Sequence, residues 1–210
     1  MFKTAVEKQK LCVKTANKYR GACKLVSSNG PDLCDVVRAT WCDIAINSLL
    51  AGCEMVPFTE TTIKKIESSQ ADVAKFALGL PSNAPNLCAQ SEFGLKYFRQ
   101  VLYERQLMYY NRLIKMDSKR WAHQAVKDHL SGDWESPYLN YIASIRMKLG
   151  IVSLSDPIDI KKSVNSYFVQ KFNTERVNFG CLLPVEKFSK QPYVCESDLS
   201  TVIAGGPRTW

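Results

Sequence analysis

Cations interleaved with aromatic rings carry the clearest chemical suggestion in this sequence. Arg99, Arg105, Arg112, Lys115, Lys119 and Arg120 alternate with Tyr97, Tyr103, Tyr109, Tyr110 and Trp121, a mixture of charge and stacking surface that single-strand and RNA binders use. Nearer the amino end, Lys14, Lys18, Arg20 and Lys24 form a second basic set together with Lys8. Lysines projecting from a packed helix neutralise phosphates without reading sequence. The competing reading is plainer: aromatic residues at helical spacing are more often core, and a charged helix face is usually solvated.

Other chemistries find no constellation. The aspartates at 32, 35, 43, 72, 117, 128, 133, 156, 159 and 198 are scattered, and no Asp-Asp pair occurs. Eight cysteines (Cys12, Cys23, Cys34, Cys42, Cys53, Cys88, Cys181 and Cys195) stand at irregular spacing without one Cys-x-x-Cys, whereas zinc ribbons and knuckles need close pairs. Cys181 and Cys195 are followed by no third and fourth ligand before Trp210. Free, mostly buried thiols in a reducing compartment are the default. His123 and His129 are six residues apart, about 120° out of alignment on a helix, which argues against joint ligation. Neither stands beside a patterned nucleophile, so surface or capping histidines are the main reading, with a Cys-His nucleophilic pair such as Cys88 and one of them the minor alternative. No cofactor and no metal are expected.

These side chains need a scaffold, and the composition supplies one. The chain has 210 residues, 46% of them hydrophobic, which is enough to build a core of one large or two small domains. Its net charge of +8, from 28 basic and 20 acidic residues, favours polyanionic partners through a salt-sensitive field. The charged start Met1-Phe2-Lys3-Thr4 leads into no apolar signal region, and no run approaches the roughly 18 residues of a membrane span. The expectation is an intracellular protein, nuclear or cytoplasmic, that is not secreted and has no membrane partner.

Periodicity predicts helices throughout. Ala5, Cys12, Ala16, Tyr19, Cys23 and Val26 make one helical stripe, ending near Ser27-Ser28-Asn29-Gly30-Pro31. Leu33, Val37, Trp41, Ile44 and Ser48 mark a second helix to about Leu50. Thr59 caps a third with the stripe Ile63, Ile66, Gln70, Val73 and Ala77. Pro81 to Ser91 reads as a connecting loop with room for a short helical turn. A long helix follows from about Lys96 to Met116, with Leu102, Gln106, Tyr109, Leu113 and Met116 on one face. Asp117 or Ser118 is placed to cap the next, which presents Trp121, Ala125 and either His129 or Leu130. Ser136-Pro137 starts a helix with Tyr138, Tyr141, Ile142, Ile145 and Leu149 inward and Gly150 at its end. Ser155-Asp156-Pro157 starts another through about Arg176, and an irregular tail follows Asn178.

Order and spacing within this framework carry a family resemblance. Gly52-Cys53-Glu54-Met55 introduces the run Pro57 to Gln70, followed by Leu78-Gly79-Leu80-Pro81, Pro85-Asn86 and Glu92-Phe93-Gly94-Leu95. From roughly Tyr19 to Ile151 the chain resembles the segment after the catalytic palm in reverse transcriptases of non-LTR (LINE-type) retrotransposons. Where that family commonly has Tyr-Gly-x-Glu, this chain has Ala51-Gly52-Cys53-Glu54. Glu54, Gln70 and Glu92 match the pattern, and a Glu at a helix end or a Gln in an apolar stripe suits backbone satisfaction better than chemistry.

The resemblance implies an all-α array of about six or seven helices: a thumb-like three-helix segment over 1–80, a helical connection over 81–153, and a further helix with a loose tail over 154–210. It implies contact with an RNA/DNA template–primer duplex or with RNA, through the ten basic residues of the two sets other than Lys8. A polymerase of this class also needs an aromatic-x-Asp-Asp strand and an upstream Asp to hold two metal ions about 4 Å apart. This sequence has none, so on this reading it begins after the catalytic centre and does not polymerise alone. The alternative is a helical adaptor whose basic faces merely solubilise it and whose partner is another protein. Oligomeric state stays open.

Overall fold

The computed structural model describes residues 4–28, 33–151 and 157–178, and every regular element within them is helical. α1 spans Ala5–Ser27. α2, Cys34–Ala39, runs through a π-helical stretch Thr40–Ala45 into α3, Ile46–Leu50. There follow α4 (Glu60–Ala77), α5 (Asn86–Glu92), α6 (Phe98–Ile114), α7 (Trp121–Ser131), α8 (Pro137–Leu149) and α9 (Pro157–Asn178). The expected all-α array is therefore what the described residues form, with α5 as the short helical turn of the connecting segment. The signal Ser155-Asp156 and the tail after Asn178 lie outside the described residues.

Local chemistry sets several of the ends. Thr4 and Glu7 form a reciprocal cap on α1: the Thr4 hydroxyl accepts the Glu7 N–H, and the Glu7 carboxylate accepts the Thr4 N–H. Thr59 caps α4 as the sequence predicts, accepting the Thr62 N–H. Ser136 caps α8 with Pro137 at its first position, and Gly150 closes that helix at φ 64°, a left-handed geometry that suits glycine. Replacing the buried Ser136 by alanine orphans the Leu139 N–H and is expected to destabilise the fold by about 1 kcal/mol, read as a shift of the urea midpoint at constant slope.

Two expectations are corrected. In the second helix Val37 and Trp41 are buried as expected, but Ile44 is exposed and so is Ser48; Ala45, Leu49 and Leu50 face the core instead. A π-helical stretch bonds each N–H one residue further back, so the turn widens and the apolar repeat becomes four. Further on, α7 begins at Trp121 with Arg120 at its cap, while Asp117 accepts the Lys119 N–H in the turn before it. Trp121 is left 92% exposed, and Val126 is the residue α7 buries. Helical Cβ atoms tilt toward the amino end, so a first-turn side chain overhangs the helix instead of meeting its neighbour.

Hydrogen bonds fix how the first helices align. Gln9 Oε1 accepts from the Thr59 and Thr62 hydroxyls, Ser69 donates to Asn17, and Arg20 pairs with Asp72. Both partners advance together, so α1 and α4 run parallel. Between them the α2–α3 rod returns the other way: Cys23 meets Val37 and Cys12 meets Leu49. α6 is the central helix, packed against α4, α7, α8 and α9 and buried on several faces. One apolar cluster extends from Cys12 in α1 to Phe168 in α9, joining the three segments of the sequence.

Buried glutamines tie loops to this core. Gln9 donates to Pro57 O, Gln70 to Lys96 O, Gln90 to Glu67 O and Gln106 to Val56 O. The Pro57, Lys96 and Val56 carbonyls belong to non-helical segments and are satisfied in this way, whereas Glu67 lies within α4, so Gln90 ties α5 to that helix. Gln70, one of the three residues carrying the resemblance, thus has the structural role its apolar stripe suggests. Among the described residues no helix is long and apolar enough to cross a membrane.

Candidate nucleic-acid interface

α1 carries six basic residues and one acidic one, and packing sorts them by face. Gln9, Cys12, Ala16 and Cys23 are buried against α2–α3 and α4. At 100° per residue, Lys10, Lys14 and Lys18 fall on the opposite side, and all three are exposed. Their spacing of four places successive ammonium groups roughly 6 Å apart along the helix. None of the three forms a side-chain hydrogen bond or ion pair with a described residue. Lys65 on α4 is also exposed, between Thr62 and Ser69, the residues that reach across to α1.

Arg20 and Lys24 of the amino-terminal set lie along the α1–α4 seam. Arg20 Nη1 lies 2.9 Å from Asp72 Oδ2, and Lys24 Nζ stands 5.3 Å from the centre of the Phe76 ring. Both hold the two parallel helices together, which leaves them less to offer a ligand. Lys10 was missed in the sequence reading, although its four-residue step to Lys14 was visible.

The carboxyl-side set is divided by the fold. Arg99 is drawn into the α4–α6 junction, 2.7 Å from Glu60 and 3.7 Å from Glu67, with Lys148 also near Glu60. Burial raises the Glu67 carboxyl pKa, and the charges of Arg99 and Lys171 oppose that rise. Arg105 reaches Asn47 on α3. Arg112, Lys115, Lys119 and Arg120 instead gather at the exposed corner where α6 passes into α7, beside Trp121. Of the interleaved rings, Tyr103 and Tyr110 are buried and Tyr97 packs 5.6 Å from Phe168. Stacking on those three is unavailable to a ligand; Tyr109 is half-buried with its hydroxyl donating to Met55 Sδ, and Trp121 is the most open of the five rings.

A cleft of about 760 Å³ opens between α4, α5, α6 and α9, lined by Lys64, Lys75, Lys171, Arg99, Glu67 and Glu175 among others. Most of its charges already have partners. Lys75 donates to Ser82 O, Lys171 lies 3.8 Å from Glu175, and Tyr97 donates to Glu175. The histidines are occupied too, His123 against Leu113 O and His129 between Trp134 O and the Ser136 N–H. No group of three metal-binding side chains occurs among the described residues.

The ten basic residues singled out in the sequence therefore do not share one groove. Lys14 and Lys18 stand on the α1 face, four more form the α6–α7 corner, and Arg20, Lys24, Arg99 and Arg105 hold helices together. Compared with known proteins, the chain matches no family model, no curated protein and no solved structure.

Proposed function

We propose that this chain is a helical, non-catalytic nucleic-acid-contacting module, gripping an RNA/DNA template–primer duplex or RNA by its phosphates. The row Lys10, Lys14 and Lys18 carries the reading: three ammonium groups with no partner among the described residues, at regular spacing on a helix whose other face is locked in the core. Such a row binds backbone without reading bases. The α6–α7 corner, with its cations and the open ring of Trp121, is the second contact and suits a splayed base. The likeness to the segment after a retrotransposon polymerase's palm points the same way. Without an Asp-Asp pair the chain is not expected to polymerise by itself. The same reading puts it inside the cell, where free thiols persist.

A labelled RNA/DNA hybrid titrated at several salt concentrations tests this. Binding is expected to weaken steeply with salt, and a Lys10→Glu, Lys14→Glu, Lys18→Glu variant is expected to lower the slope of log K against log salt by about one unit per lysine. Absence of binding at low salt removes the proposal. That outcome favours a protein adaptor, a reading supported by the exposed Trp121, Leu130 and Trp134 on and after α7.

A further inference from the structure

Two cysteines far apart in sequence meet beneath α1. Cys12 Sγ and Cys53 Sγ are 3.5 Å apart, both are buried, and both lie within reach of the Leu49 carbonyl, at 3.4 and 2.9 Å. Gly52, next to Cys53, is exposed at φ 68°, and a Cβ built there would stand 3.9 Å from the ammonium of half-buried Lys8. Lys8 thus places a flexible cationic side chain on the Gly52 side of the pair.

We propose that Cys12 and Cys53 are an oxidisable dithiol, with Cys12 the nucleophile and Cys53 the resolving thiol, closed to a disulfide by a small peroxide. The two sulfurs differ in their surroundings. The hydrogen bond with Cys53 lowers the Cys12 pKa, against the opposing effect of burial and with help from Lys8. The same hydrogen bond, together with burial, raises the pKa of Cys53.

The Cys12 thiolate attacks one peroxide oxygen and the O–O bond breaks. This leaves Cys12 as a sulfenic acid and releases hydroxide, which takes up the proton that Cys12 had given to solvent. Cys53 sulfur then displaces the sulfenic oxygen, forming the S–S bond, and its own proton leaves with that oxygen as water. Two thiols lose two electrons and one peroxide becomes two waters. The product ties α1 covalently to the segment that leads into α4.

Hydrogen peroxide applied to the full chain, followed by alkylation of remaining thiols and digestion without reduction, tests the pairing by mass spectrometry. The expected product is a cross-linked pair of peptides carrying Cys12 and Cys53. Recovery of both as separately alkylated thiols, under exposure that converts free glutathione, overturns the proposal, as does cross-linking of either to another cysteine instead.

Roles are tested with dimedone, which traps sulfenic acids. Cys53→Ser is expected to leave Cys12 labelled roughly tenfold more than Cys53 is labelled in Cys12→Ser. Equal labelling overturns the assignment of the nucleophile. The wild-type cross-link stands as a test even where a variant folds poorly.

Discussion

Phe168→Ala is expected to lower the free energy of unfolding by about 3–5 kcal/mol, the range for truncating a fully buried phenylalanine. The ring is completely buried in α9 and packs against Tyr167, Tyr97 and Tyr103 at centroid distances of 5.2, 5.6 and 6.2 Å. Such ring contacts add to the area term. The loss is also local in character. α9 packs on α6 and more lightly on α8, so its docking depends heavily on this side chain and its neighbours Ile160 and Val164. Amide exchange is therefore expected to quicken in α9 well before α1 and α4 lose protection. Uniform loss of protection, or a shift under about 1 kcal/mol, contradicts this account of the packing.

Arg99→Ala is expected to cost about 3 kcal/mol at neutral pH, the lower end of what breaking a buried ion pair costs, because Glu67 keeps some access to water. The effect depends on pH with a defined sign. Burial raises the Glu67 pKa above its unfolded value, so the stability linked to its protonated form is fully present below the unfolded pKa. It is lost as the pH climbs through the folded pKa. Removing Arg99 deletes the charge that most opposes the rise, which raises the folded pKa further and widens that window. Urea titrations of both proteins across pH are expected to converge in acid and separate toward neutrality. Adding Glu67→Gln is expected to recover much of the loss, since a neutral amide needs no counter-charge. A pH-independent difference, or no recovery, shows that Arg99 acts through packing alone.

These two sites explain why the basic residues could not be sorted before folding. Arg99 and Lys14 look alike in sequence, each a cation on a helix. What separates them is Glu67, which lies 32 positions upstream of Arg99 and meets it across the α4–α6 junction. The interleaved tyrosines divided for a similar reason: Tyr97 and Tyr103 meet Phe168, which the chain reaches a whole helix hairpin later. Aromatic and cationic residues at helical spacing suit a core and a binding face equally well, so spacing alone does not choose.

What the sequence determined by itself is what neighbouring residues decide between them. The helical class follows from the apolar repeat, the start of α4 from Thr59, and the limits of α8 from Ser136-Pro137 and Gly150, since caps and turns act within one helical turn. The tertiary structure alone decided the widened turn at Thr40–Ala45, the parallel alignment of α1 with α4, the burial of Arg99 and the meeting of Cys12 with Cys53. Each rests on contacts between residues distant along the chain, whose energies exist only once the helices have packed.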